Sequence, residues 1–118
     1  MVAGISRRVY RIHSRVIAGG GGVLKLGTPT KREQEWISRI LELGCIVSRL
    51  RYFAYVPAEV HHILKNGKRV SHLYSIPLSP AFHRSGRNDD DVVSRHPWHR
   101  EFERRYGSES MLLQRTRE

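Results

Sequence analysis

The spacing of apolar positions changes character several times along the chain, and each change predicts an element. Trp36, Ile37, Ile40 and Leu41 recur at the helical period after Thr30 and Glu33, which have the spacing of a capping box, and Gly44 supplies the stop. That stripe reads as core. Residues 45–56 carry Ile46, Val47, Tyr52, Phe53, Tyr55 and Val56 ahead of Pro57 and are β-rich in type. Residues 59–64 read as a strand and residues 68–73 as its partner, joined at Asn66-Gly67, where both residues tolerate positive φ. Ser79-Pro80 offers an N-cap followed by a proline at the first helical position, so a helix starts there and ends near Gly86. A polar loop at 88–91 leads to two closing helices, 97–106 stopped by Gly107, then 108 to about 115. Ahead of all this, residues 5–17 set Arg7, Arg8, Arg11 and Arg15 among Ile5, Val9, Ile12, Val16 and Ile17, a pattern compatible with a strand or a short helix.

Taken together these elements predict an α+β fold, a β-hairpin closed by a helix and flanked by an N-terminal helix and C-terminal helices. A chain of 118 residues makes one small domain, here with a basic, glycine-containing arm at 1–28 and a folded unit at 29–118. Hydrophobic residues at 39% and charged residues at 27% place it among globular proteins. Charge then narrows the partner. With 21 Lys+Arg against 11 Asp+Glu the net charge is +10, spread from Arg7 to Arg117, so the folded surface favours a polyanion. Cys45 is the lone cysteine, which excludes an intrachain disulfide and an all-cysteine zinc site and fits a reducing cytoplasm. No stretch approaches a membrane span and no apolar signal core opens the chain, so no membrane partner is expected. The first acidic residue is Glu33, but the run Gly19-Gly20-Gly21-Gly22 would interrupt an amphipathic transit helix; a basic arm is the better reading.

The chemistry concentrates at His61-His62. Neighbours on a strand point to opposite faces, so the pair is expected to send one imidazole inward and one outward. One ring can then ligate a divalent metal while the other takes a proton from water, since imidazole does both near neutral pH. A third histidine in the short helix, His83, would complete a metal site. Around this site Arg49, Arg51, Lys65, Lys68, Arg69 and Arg84 would meet phosphates, contacts that position DNA without reading sequence. Tyr52, Tyr55, Tyr74 and Trp98 read either as platforms for bases or as core and cross-strand pairs.

A hairpin with His-His on one strand, closed by a helix with another His, resembles the HNH nucleases and their ββα-metal core. Leu43-Gly44-Cys45-Ile46-Val47-Ser48, Pro57-Ala58-Glu59-Val60-His61-His62-Ile63, Gly67-Lys68-Arg69, Ser71-His72, Ile76-Pro77-Leu78-Ser79-Pro80, His83-Arg84, Phe102-Glu103, Tyr106-Gly107 and Leu112-Leu113 resemble the phage recombination-enhancement (Ref-like) branch over about residues 30–115. The resemblance implies His62 as general base and His61 and His83 as ligands of one divalent metal, Mg²⁺ or Mn²⁺, with Zn²⁺ or Ni²⁺ also compatible. The usual HNH asparagine has no match, because Asn66 belongs to the turn; His72 takes its place as a residue that orients the base or lines the phosphate path, with a surface role on the second strand the alternative. His96 or His99 would add a phosphate contact or ligand. The branch's zinc knuckle, Cys-x-x-Cys with a later Cys-x-x-His, reads here Cys45-Ile-Val-Ser48 and Ser79-Pro-Ala-Phe82, so no structural zinc is expected and Cys45 should pack with Phe82.

These features imply a small metal-dependent DNA endonuclease or nickase of phage or prophage origin, of little sequence preference, acting in recombination in the cytoplasm of a bacterial host. Its partners would be duplex, single-stranded or branched DNA, and a recombinase filament. The competing readings are a non-catalytic basic DNA-binding protein that kept the fold without turnover, and a recombinase-accessory protein.

Overall fold

The structure, a computed structural model, describes residues 27–118; the arginine-rich stretch at 5–17 and the glycine run lie outside them. Helix α1 spans Lys31–Leu43. Its start is the expected capping box: the Glu33 N–H donates to the Thr30 hydroxyl at 3.2 Å and the Thr30 N–H to the Glu33 carboxylate at 2.9 Å. Gly44 ends it at φ 86°, where a Cβ would lie 2.7 Å from the ring of Tyr55.

Residues 45–56, β-rich in type, do not form a strand. Helix α2 occupies Ile46–Tyr52. Ile46 and Val47 are buried and Leu50 half-buried, so burial along one helical face overrides the weak β preference of the branched and aromatic side chains. After α2 the chain turns back, and the Cys45 N–H donates to the Val56 carbonyl at 2.8 Å.

The hairpin also differs from its expected form. Asn66 and Gly67 do turn with φ 55° and 76°, but they join only the short strands β2 (Leu64–Lys65) and β3 (Lys68–Arg69). The strand with the histidines, β1 (Glu59–His62), pairs antiparallel with β4 (Ser75–Leu78) in the register Glu59 to Leu78, Val60 to Pro77, His61 to Ile76 and His62 to Ser75. Two causes act together. A hydroxyl-assisted bend, in which the Ser71 Oγ accepts from the Leu73 N–H and the Ser71 carbonyl from the Tyr74 N–H, takes residues 71–74 out of the ladder. Ile76 and Leu78 are fully buried while Val70 is exposed, so core formation selects the later strand.

Helix α3 (Pro80–Arg84) starts at the expected Ser79 cap, and α4 (His99–Tyr106) and α5 (Glu109–Arg117) close the fold, α4 stopping at Gly107 and α5 capped by the Ser108 hydroxyl. The fold is α+β, with helices at both ends of the β part. Its β1/β4 ribbon is covered on both faces. Val60 packs with Ile37, Ile40 and Leu41 of α1, whereas Ile76 and Leu78 share a second cluster with Ile46, Phe82, Phe102 and Leu112. Trp36 donates to the Ser75 hydroxyl at 3.1 Å and ties α1 to β4. Cys45 and Phe82 lie in that second cluster, and both knuckle-position serines, Ser48 and Ser79, are buried.

Candidate metal centre

Because the ribbon is covered on both faces, alternation along β1 does not separate an inward from an outward histidine: His61 and His62 are 3% and 5% exposed. They face different neighbours. His61, opposite Ile76 in the register, looks toward α3 and α5. Its Nε2 lies 2.7 Å from the Glu109 carboxylate at the start of α5, and Arg95, also buried, pairs with the same carboxylate. His83 on α3 places Nδ1 at 2.8 Å from Glu59, which Arg84 holds from the other side, its Nε donating at 2.8 Å. A carboxylate accepts only, so each ring donates N–H to its carboxylate and turns the lone pair of its other nitrogen away from it.

His96 joins the two from a loop. The Arg95 N–H donates to the Phe82 carbonyl at 2.8 Å and the His96 N–H to the His83 carbonyl at 3.1 Å, which lays residues 94–96 along α3. Ring centroids are 5.1 Å apart for His61 and His83, 5.4 Å for His61 and His96, and 5.3 Å for His83 and His96. One ligand atom from each ring lies within 4.8 Å of the others, with His61 buried, His83 half-buried and His96 at the exposed rim. An ion with tetrahedral bonds of about 2.1 Å holds its ligands about 3.4 Å apart, so the most widely spaced rings would close by up to about 1.4 Å on binding one. Three imidazoles, two of them backed by carboxylates, fit a divalent transition ion.

The electrostatics agree with that use. Burial pushes the His61 imidazole below its ordinary value, with Arg95 and His96 acting the same way and the Glu109 hydrogen bond opposing. Burial likewise lowers His83 and His96, each helped by the neighbouring histidine. All three shifts favour the neutral ring, the form that ligates a metal. Burial alone would raise Glu109, yet the hydrogen bonds from His61 and Arg95 and the charge of Arg95 hold its carboxyl down at about 2.

On the other face of β1 stands a second imidazole pair. The His62 Nε2 lies 2.9 Å from the His72 Nδ1, and the His72 Nε2 lies 3.2 Å from the Gly27 carbonyl. That carbonyl can only accept, so His72 donates from Nε2 and accepts at Nδ1, and His62 donates to it from Nε2. His72 is 1% exposed and sits in the 71–74 bend, neither on a second strand nor at the surface. His99 pairs with Glu103 on α4 at 3.2 Å, apart from this cluster.

The expected phosphate contacts separate into three places. Arg84 borders the centre through Glu59; Lys65, Lys68 and Arg69 sit on the tip hairpin; Arg49 and Arg51 lie on α2, with Arg51 over the Tyr106 ring and bonded to the Arg105 carbonyl. Arg69 buries one guanidinium nitrogen that has no partner among the described residues. Glu59, Glu109 and Arg95 were not legible as site residues. The one available signal was Glu59, two positions before His61, which alternation puts on the same face.

Among the described residues no helix is long and apolar enough to cross a membrane. Compared with curated proteins and with solved structures, the chain gives no significant match. Residues 29–118 match the family described as recombination enhancement, RecA-dependent nuclease. With three-quarters of its length inside that match, the chain belongs to the family of RecA-dependent nucleases of recombination enhancement.

Proposed function

We propose that the protein is an HNH-type, metal-dependent DNA endonuclease or nickase, of phage or prophage origin, that works in the cytoplasm of a bacterial host on DNA engaged by a recombinase filament. The observation that supports it most is the convergence of His61, His83 and His96, with Glu59 and Glu109 behind the first two. These three residues would hold one divalent ion. When bound, the ion polarises the scissile phosphate and stabilises the leaving 3′ oxygen, so that the product carries a 5′ phosphate. Three neutral imidazoles suit Mn²⁺, Zn²⁺ or Ni²⁺ better than Mg²⁺, a hard ion that prefers oxygen donors. No structural zinc belongs to this reading, since Ser48, Ser79 and Phe82 stand where three knuckle ligands would be needed.

His62 serves as the general base, with His72 fixing its tautomer and the Gly27 carbonyl fixing His72. The decisive measurement is nicking of supercoiled plasmid with Mn²⁺, Zn²⁺, Ni²⁺, Mg²⁺ or EDTA. His62→Ala should slow cleavage by roughly 10²- to 10⁴-fold while ion and DNA affinities stay as they were. A protein inert with every one of these ions, on branched as well as duplex DNA, is not a nuclease of this kind.

A second assignment of the base has its own support, because His62 lies on the face of β1 opposite His61 whereas His96 shares the His61 pocket and is exposed. In that reading His61 and His83 hold the ion, His96 accepts the proton, and the His62–His72 pair braces the ribbon. Loss of cleavage in His96→Ala with ion affinity retained, beside an active His62→Ala, selects it.

Lys65, Lys68 and Arg69 hold the duplex by its phosphates, and the basic arm at 1–28 adds to the same field. Changing both Lys68 and Arg69 to Ala should weaken binding similarly on all duplexes and flatten the salt dependence by about two units. Titrations at several salt concentrations check this; an affinity that ignores salt would transfer the recognition to base edges or to a protein.

A further inference from the structure

The end of α2 and the loop after it expose Tyr52, Phe53 and Tyr55 at 56%, 91% and 64%, three large aromatic side chains within four residues. Folding normally hides such groups. Here the chain does the reverse at a cost to its backbone, since Phe53 caps α2 with φ 54° and ψ 37°, the left-handed region that a β-carbon disfavours and glycine would occupy freely.

The loop is held in this form. The Phe53 N–H donates to the carbonyls of Arg49 and Ser48, and the Ala54 N–H reaches the Ser48 carbonyl at 3.4 Å. Tyr55 lies against Gly44, where any side chain would collide with its ring, so the glycine that ends α1 also makes room for the aromatic. A strained, fixed and exposed Phe is a presented group, and the direction of inference runs from that outlier to a use.

Charge identifies the partner. Between Glu42 and Glu59 the chain carries no acidic residue. Arg49 is exposed on the last turn of α2, and among the described residues no carboxylate pairs with it. Exposed aromatic faces beside arginine are the composition of single-strand binding platforms, where rings stack on unpaired bases and the cation meets the backbone. Duplex bases have no such faces to offer, because each is covered by its neighbours.

We propose that Tyr52, Phe53 and Tyr55 form an aromatic finger, led by Phe53, that stacks on unpaired bases of a DNA strand entering or leaving the metal centre. Helix α5 supplies the geometry that links them. Glu109 at its start holds His61, and Arg115, six residues on and about 9 Å along the axis, borders the hollow beside Phe53 and Tyr55. The finger thus directs the nuclease to single-stranded or branched substrates. It rests on the reading of this chain as a DNA nuclease, and its test is built to fail separately.

The full-length protein is titrated in EDTA, so that nothing is cut, with an oligothymidylate carrying one 2-aminopurine and with a duplex of the same length. The wild type should quench the 2-aminopurine on binding. Phe53→Ala should lose that quenching and bind the single strand about tenfold more weakly with the salt dependence kept, while duplex affinity changes less than twofold. Phe53→Trp should restore both. An unchanged thermal midpoint is expected of Phe53→Ala, since the side chain is almost fully exposed. Equal losses on single strand and duplex, or none on either, would overturn the proposal. So would a defect seen only on recombinase-coated DNA, which makes the finger a protein contact. A protein that never cuts but shows the Phe53-dependent quenching refutes the nuclease reading and leaves the finger standing.

Discussion

Replacing His83 by alanine should abolish metal-dependent cleavage, by about three orders of magnitude, without unfolding the domain. The size follows from the electrostatic role proposed for the ion: stabilising the leaving oxygen would be worth several kcal/mol, and each 1.4 kcal/mol is a factor of about ten in rate. Persistence of the fold follows from the neighbourhood. His83 is half-buried on a short helix, and Glu59, its hydrogen-bond partner, keeps Arg84, so the substitution leaves no orphaned charge behind. Calorimetric titration with Mn²⁺ or Zn²⁺ should show the binding event lost or greatly weakened, in parallel with the loss of nicking. If His83→Ala binds the ion as tightly as the wild type and cuts at the same rate, the three-histidine centre is not where the chemistry happens.

Glu109→Ala should have the largest effect on stability of any single change near the centre, about 3–5 kcal/mol, because it strands the buried Arg95 guanidinium without a counter-ion. It also removes the acceptor that fixes the ring of His61, so ion affinity should fall roughly 10- to 100-fold in whatever fraction remains folded. Glu109→Gln separates the two contributions. The amide fills the same space and still offers an oxygen, but its neutrality leaves Arg95 uncompensated. Urea unfolding and ion titration, run on both variants, give the comparison. A Glu109→Ala protein as stable as the wild type would mean that Arg95 finds another partner and that the carboxylate does not organise the site.

Local signals were legible in the sequence and long-range choices were not. The Thr30 and Glu33 box, the Gly44 stop, the Asn66-Gly67 turn and the Ser79-Pro80 start each involve neighbours a few residues apart, and each occurs where its pattern places it. Helix α2 was misread because Ile, Val, Tyr and Phe look β-like until the face they bury is known. The strand opposite β1 was misplaced for a related reason: the turn fixes where the chain reverses, and core burial fixes which later residues reach the histidines. His61 and His83 were expected as ligands from the histidine pattern and the family resemblance, and the structure brings their rings together with that of His96. What backs them was invisible. Glu109 lies far along the chain from His61 and enters the site only because α5 packs against β4, the strand paired with β1, a fact of packing that no local spacing encodes.

His61, His83 and His96 come from a strand, a short helix and a loop, with α5 reaching in behind through Glu109. An ion held there would therefore act as a cross-link. It would close two loops of chain at once and, unlike a disulfide, would act by binding the folded state alone, in a domain whose lone cysteine cannot form an intrachain disulfide. Coordination and folding would then share one free energy, and loading the centre would fasten β1 to α3 and to the loop that follows it.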